Sequence, residues 1–284
     1  MPDWCFDQGG DCAGVGAESF PELSCTGGIL LLLRYTWNHS TRQEERTVKS
    51  IDVEVLLPVH NEGESIEATI RGIYGVLSTV VNPGFIVCED GSRDDTKQVL
   101  QRLAGELPMR LNLSDARKGY SKAVREGMSM LEAGYLLCID SDGQCDPRDF
   151  TRFWQARGSA DIVIGWRVHR ADTLLRRTFS GFFYLLYQAV FRTPVHDPSC
   201  PYVLFPKAVA QRLTGELGDM KEGFWWEFVA RAHRRGFTFR ELPVNHQLRA
   251  AGVTQVYKWS KMPSIFLRHV AALLKIWRDT RPAS

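Results

Sequence analysis

The hydrophobic positions of this chain change period along its length. Ile51 to Val59 is an apolar run of strand length that ends around Pro58, and Ile66, Ile70, Ile73 and Leu77 then recur at the spacing of one helix face. Phe85 to Cys88 is a second short apolar run, so the segment predicts β-α-β. The alternation continues with a helix near Asp94 to Leu103, a strand near Arg110 to Leu113, a helix carrying Tyr120, Ala123, Val124, Gly127 and Leu131, and a strand from Tyr135 to Ile139. Strands alternating with helices of this length predict an α/β fold with a mostly parallel sheet, whose ligands gather at the carboxyl ends of its strands.

The second half is less regular. It predicts a short helix around Phe153, a strand Asp161 to Ile164, an aromatic-rich run Phe179 to Phe191, a helix Phe224 to Arg235 closed by Gly236, and a strand Phe237 to Val244. Pro263 to Arg278, with Pro at a first helical position, predicts an amphipathic helix. Its stripe is Met262, Phe266, Val270, Leu273 and Trp277, flanked by Lys261, Arg268, Lys275 and Arg278. Such a helix either lies in a lipid interface or packs on its own domain. The expected division is an extension of unassigned fold over 1–49, a catalytic domain over 50–257 and the basic helix over 258–284.

Composition narrows the class. The 284 residues carry a net charge of +2, which gives no electrostatic case for nucleic acid. The distribution is uneven: residues 249–278 hold six Lys or Arg and no Asp or Glu, so this end is the one suited to an anionic surface. Seven cysteines form no C-x-x-C pair, and Cys88 and Cys138 fall in predicted strands, a pattern that suits a reducing compartment. Cys5, Cys12 and Cys25 match no zinc spacing, and Asn38-His39-Ser40 is a sequon of a kind common by chance. No apolar stretch reaches the roughly 18 to 20 residues of a spanning helix, and Ile29 to Leu33, followed by Arg34, is a poor signal sequence.

Candidate chemistry sits where strands end. Asp140-Ser141-Asp142 follows an apolar strand and points its carboxylates toward one region, with Gln144 two residues on. Hard oxygen ligands of this kind suit Mg²⁺ or Mn²⁺ bridging a nucleotide diphosphate, although a D-x-D standing alone is more readily read as a solvated acidic turn. Glu89-Asp90-Gly91-Ser92 offers carboxylates to a base N–H or to ribose hydroxyls, while Ser92 or Asp94 alternatively caps the following helix. Arg117-Lys118-Gly119-Tyr120 precedes a helix, where cations and backbone N–H groups can meet phosphates. There is no G-x-G-x-x-G after the first strand, so a nicotinamide or flavin reading loses its main support.

Pro58-Val59-His60-Asn61-Glu62, Glu89-Asp90-Gly91-Ser92-Arg93-Asp94, Lys118-Gly119-Tyr120-Ser121-Lys122-Ala123 and Asp140-Ser141-Asp142-Gly143-Gln144 occur in this order. Together they resemble family 2 glycosyltransferases with the GT-A fold, a Rossmann-like sheet flanked by helices. The resemblance covers about residues 51–257. Within the family, the second half is similar to the dolichyl- or polyprenyl-phosphate sugar synthases. The resemblance implies a nucleotide-sugar donor, held around Pro58, His60, Glu62, Glu89, Asp90 and Lys118, and a metal at Asp140, Asp142 and Gln144. It implies an acceptor phosphate near Arg167, Arg176 and Ser180, with Arg249 beside the donor diphosphate and Asp142 and Asp197 among the catalytic groups.

The implied reaction is an inverting, metal-dependent transfer of a sugar from a donor of the GDP-mannose or UDP-glucose type to a lipid phosphate. The expected location is the cytoplasmic face of a membrane, with or without a small membrane-anchoring subunit. The other readings are a soluble transferase acting on a sugar or protein hydroxyl, for which Asp197 would be the base, and a silent nucleotide-sugar-binding scaffold. Asp197 otherwise anchors its loop. His60 stands where Tyr or Phe is usual in the family, Glu89 where Asp is common, and Cys200-Pro201 interrupts the usual Ser/Thr-Gly-Phe. The Q-x-x-R-W signature of processive synthases is absent.

Overall fold

A computed structural model describes residues 50–168, 174–245 and 262–280, with the side chains of 174–180 and 262–265 outside that description. Strand β1 (Val53–Val59) leads through α1 (Ile66–Leu77) to β2 (Pro83–Glu89), and α2 (Thr96–Ala104), β3 (Met109–Asn112), α3 (Tyr120–Ser129) and β4 (Tyr135–Cys138) follow. A 3-10 turn, Pro147–Asp149, opens α4 (Phe150–Ala156), and β5 (Ile162–Arg167) and α5 (Leu174–Phe191) come next. Then come β6 (Val203–Pro206), α6 (Lys207–Leu213), α7 (Phe224–Arg234), β7 (Phe239–Val244) and α8 (Met262–Asp279).

These strands form one seven-stranded sheet in the order β3-β2-β1-β4-β6-β5-β7. β6 runs antiparallel to both of its neighbours, and every other pair is parallel. The mostly parallel α/β fold is therefore the one the alternating pattern predicts. β1 is central and covered on both faces, which is why Val53, Val55, Leu56, Leu57 and Val59 form a run rather than an alternation. Helix α1 buries Ile66, Ile70, Ile73 and Leu77, the four positions its period marks. Helix α7 ends where Gly236 adopts φ +85°, with the Phe237 N–H donating to the Ala232 carbonyl at 3.1 Å. The periodicity predicts neither β6 nor α6, since runs of four and seven residues are too short to carry a period.

The strand order places the ligand crevice. From β1 the chain moves outward to β2 and β3, then returns to place β4 on the opposite side of β1. The carboxyl ends of β1 and β4 thus flank a topological switch point, where an open parallel sheet leaves a cleft between diverging connections.

A second apolar cluster lies on α5, α7 and α8 and joins Phe183, Tyr187, Phe191, Met220, Ala230, Ala272, Leu273 and Ile276. It decides between the two readings of the last helix's stripe. Leu273 is buried in this cluster and Phe266 and Trp277 pack against it, so the described part of that stripe packs on its own domain. Among the described side chains of α8, the large apolar ones left exposed are Leu267 and Leu274, at 67% and 58% exposure. On α5, Phe183 and Tyr187 turn inward while Phe182 and Leu185 are 60% and 68% exposed. The Phe182 and Phe266 rings, 6.0 Å apart, join the two helices. Among the described residues no helix is long and apolar enough to cross a membrane.

Candidate active site

The loops after β1 and β2 are stapled to each other by hydrogen bonds. Asn61 adopts φ +54°, a left-handed conformation that Asn tolerates better than most residues, and this turns its amide toward the β2 loop. Its N–H donates to Ser92 Oγ at 2.9 Å and its Oδ1 accepts from the Arg93 N–H at 2.9 Å. The Glu62 N–H donates to Thr96 Oγ1 at 3.0 Å, and the Gly63 N–H to Asp94 Oδ2 at 3.1 Å. Neither expected residue sits at the N-cap of α2, which is Asp95, although Asp94 accepts the Thr96 N–H at 3.2 Å.

Glu89 and Asp90 fasten a third loop to this pair. Glu89 is fully buried and accepts from the Ser92 N–H and, at 3.2 Å, from the Ser114 N–H. Burial opposes its charge, but those donors and the Lys97 ammonium outweigh it and hold its carboxyl below the usual carboxylate range. Asp90 Oδ1 accepts from the N–H groups of Lys118 and Gly119, the latter at 2.8 Å. The approach is close: with φ +65° at Gly91, a Cβ there would lie 2.5 Å from the Ala116 carbonyl carbon. Only glycine fits this turn.

Two expected donor contacts change meaning here. Glu89 has no exposed surface to offer a base or ribose, and it acts on the site by shaping the turn. The Lys118 ammonium donates to Glu126 Oε2 at 2.7 Å and to Asn112 Oδ1 at 3.2 Å, so its charge is spent inside the fold. Serving a phosphate would require breaking that pair.

The Asp140 to Gln144 segment leaves β4 beside the β1 end, with Ser141 Oγ donating to the Pro58 carbonyl at 2.9 Å. The Asp142 carboxylate accepts from the Gln144 N–H at 3.1 Å, which holds the turn closed. Tyr120, on the first turn of α3, donates its hydroxyl proton to Asp140 Oδ1 at 2.8 Å. The same hydroxyl accepts from Trp225 Nε1 of α7 at 2.8 Å. Burial first, and the Asp140 charge second, push the Tyr120 pKa well up, so the phenol keeps its proton.

From the far side, Arg167 at the end of β5 forks onto Asp197, Nε to Oδ2 at 2.8 Å and a terminal nitrogen to Oδ1 at 2.9 Å. Ser199 Oγ donates to the same carboxylate at 2.8 Å and accepts from Arg167 at 2.6 Å. Glu241 of β7 accepts the His196 and Asp197 N–H groups at 2.9 and 3.0 Å and so holds this loop in place. Burial works against the Arg167 charge, but Asp197 outweighs it and Asp140 adds to the effect, leaving the guanidinium pKa above its ordinary value. Of the two roles open to Asp197, this geometry carries the loop anchor.

The structure therefore brings Pro58, Asp90, Asp140, Asp142, Gln144, Arg167 and Asp197 to one end of the sheet. His60 and Glu62 lie in the β1 loop, with His60 Nε2 and Asn61 Nδ2 3.2 Å apart and Glu62 accepting from Ser65 Oγ at 2.9 Å. Arg176 and Ser180 fall on α5 with their side chains outside the description, and Arg249 lies outside the described residues. Among the described residues no three His, Cys, Asp or Glu side chains converge as a metal cluster. Two carboxylates and an amide nevertheless fit a hard divalent cation of the Mg²⁺ kind, which takes one or two protein carboxylates and leaves its other positions to phosphates and water. Tyr120 stands within one of the ordered motifs, but nothing in the sequence pairs it with Trp225, because the two meet across 105 positions.

Comparisons with known proteins bear on the family and the fold. The family model described as "Glycosyl transferase family 2" matches residues 54–214, more than half of the chain. Glycosyltransferase AglD of Haloferax volcanii is 29% identical over 72% of this chain, a stretch that spans only 34% of AglD. Dodecaprenyl-phosphate galacturonate synthase of Rhizobium johnstonii is 24% identical, covering 83% of this chain and 70% of that protein. Dolichyl-phosphate beta-glucosyltransferase of Dictyostelium discoideum is 22% identical over 72% of this chain and 68% of its own length. Among solved structures, glucosyl-3-phosphoglycerate synthase of Mycobacterium tuberculosis in complex with UDP has the same fold, with a TM-score of 0.61 at 16% identity over 83% of this chain and 82% of that one. By its ordered motifs, its sheet and the match across residues 54–214, the chain belongs to glycosyl transferase family 2.

Proposed function

We propose that this chain transfers a sugar from a nucleoside diphosphate sugar to a polyprenyl-type lipid phosphate at a membrane surface. The observation that carries the reading is that Asp140 and Asp142 follow β4 at the switch point of the sheet, with Arg167 near enough to feel the Asp140 charge. The relatives named for dodecaprenyl and dolichyl phosphate support the acceptor class. The M. tuberculosis structure with Mn²⁺ and UDP supports the donor class and the metal.

In this reading an acceptor phosphate oxygen bonds to the anomeric carbon from the side opposite the leaving group. The bond from that carbon to the diphosphate oxygen breaks, and the nucleoside diphosphate departs with the electron pair. A phosphate monoester, with a second pKa of about 6, is already largely ionised near neutral pH and brings no proton to be removed. That requirement matches an Asp197 engaged as an anchor rather than as a base. A divalent cation bound by Asp140, Asp142 and Gln144 would supply charge neutralisation at the departing diphosphate. Asp90 holds the loop of Lys118 and Gly119 against the β2 end.

The exposed Phe182, Leu185, Leu267 and Leu274 make the surface best suited to lipid. Arg268 and Lys275 flank it but pair with Glu222 at 3.0 Å and Asp219 at 2.5 Å, so docking would rest on apolar contact more than on charge. The test is thermal stabilisation by UDP, GDP and dTDP with and without Mn²⁺. One nucleotide at about a hundred times its Kd should stabilise the fold by about 2.7 kcal/mol. Mn²⁺ should enlarge that effect and Asp142→Ala should remove the Mn²⁺-dependent part, whereas no stabilisation by any of them removes the donor assignment.

A further inference from the structure

We infer that Tyr120 and Trp225 form a relay that positions the Asp140 carboxylate for the metal, with Tyr120 as the direct positioning residue and Trp225 as its support. The inference rests on the reading of Asp140 as a metal ligand and adds residues which that reading does not contain.

The direction of both bonds follows from chemistry alone. An indole N–H only donates, so Trp225 Nε1, 2.8 Å from Tyr120 Oη, occupies an acceptor site of the phenol. An ionised carboxylate only accepts, so the single phenolic proton goes to Asp140 Oδ1, also at 2.8 Å. A hydroxyl left alone is free to rotate, and the indole removes that freedom. The phenol then has one low-energy arrangement, in which it pins one oxygen of Asp140 and sets the carboxylate plane.

Packing makes the relay stiff. Trp225 is 5% exposed, its ring meets Phe224 edge-on at 5.1 Å and Phe228 at 5.4 Å, and Phe224 lies edge-on to Tyr120 at 6.5 Å. Next to Tyr120, Ser121 Oγ reaches the carbonyls of Met220 and Lys221 at 2.8 and 2.7 Å, tying the start of α3 to the loop that leads into α7. The Asp140 orientation is thus held by an element far along the chain, and not by its own turn alone. Groups that orient a metal ligand from behind are worth about 10- to 100-fold in metal affinity when removed.

The experiment titrates Mn²⁺ onto the full chain in the presence of UDP, following free Mn²⁺ by electron paramagnetic resonance. It compares the wild type with Tyr120→Phe, Trp225→Phe and Asp140→Asn and records the thermal midpoint of each metal-free protein. Tyr120→Phe should weaken Mn²⁺ binding about 10- to 100-fold, and Trp225→Phe by a smaller factor in the same direction. UDP binding measured in EDTA should be unchanged in both, an outcome that general damage to the fold would not give. A wild-type Mn²⁺ affinity in Tyr120→Phe overturns the relay while leaving the metal site standing. Equal loss of Mn²⁺-dependent and Mn²⁺-independent UDP binding also overturns it, since the role would then be structural. If the wild type binds no Mn²⁺, or Asp140→Asn binds it as well as the wild type, the metal assignment itself fails and the relay with it.

Discussion

The donor corner, where β1, β2 and β4 end, and the outer face of α5 and α8 are built on opposite terms. At the corner, carboxylates are buried and turned inward: Glu89 and Asp90 spend their oxygens on the backbone of neighbouring loops, and Lys118 spends its charge on Glu126. On the outer face, large apolar side chains stay in solvent while a full apolar stripe of the same helix is satisfied inside. A corner made of closed polar bonds is stiff, and stiffness is what a site needs when charge must be met at fixed points. The helical face leaves apolar side chains exposed among the described residues, which is the area the proposed lipid contact would use.

Breaking the corner should cost more than altering the face. Arg167→Ala leaves Asp197 buried without its cation and should lower stability by about 3 to 5 kcal/mol, read by chemical denaturation. Removing both partners, in Arg167→Met with Asp197→Leu, should cost clearly less than the sum of the two single losses. Asp142→Ala should fold normally and lose about 10²- to 10³-fold in transfer rate, equivalent to about 2.7 to 4 kcal/mol of transition-state stabilisation.

Glu89→Gln replaces an acceptor with an amide whose N–H₂ faces backbone N–H groups, and it should cost about 2 kcal/mol at neutral pH. The pH dependence has a definite sign. The Glu89 carboxyl is depressed in the folded state, so its contribution is present above the unfolded value of about 4.3 and disappears as pH falls through the lower folded value. Wild type and Glu89→Gln should therefore converge in stability in acid. At the outer face, Leu267→Ser and Leu274→Ser should leave stability within about 0.5 kcal/mol. Each should weaken binding to lipid vesicles by about 1.5 kcal/mol or less, measured by cosedimentation.

The same contrast explains what could be read from the chain before its structure. The parallel sheet was legible because β1 is a continuous apolar run and α1 marks its inner face with Ile66, Ile70, Ile73 and Leu77. The motif segments were legible because each follows a strand directly, and strand ends in a parallel sheet share one edge. What the stripe of α8 packs against was not. Periodicity marks Phe266, Leu273 and Trp277 as one face but does not say that α5 and α7 cover it. The motifs and the family resemblance could place Lys118 and Glu89 near a ligand, but whether their charges face it depends on Glu126 and on the Ser92 and Ser114 N–H groups. The Tyr120 and Trp225 contact depends on how α7 docks against α3, which no local spacing encodes.

Transfer of a radiolabelled sugar from UDP-glucose or GDP-mannose to a polyprenyl phosphate in vesicles, with Mn²⁺ or with EDTA, tests the central claim most directly. The expected result is label in the lipid fraction that requires the metal, is lost in Asp142→Ala and is acid-labile as a glycosyl phosphate should be. Metal-dependent label that appears only on a soluble hydroxyl acceptor, or no label in lipid from either donor, would contradict it.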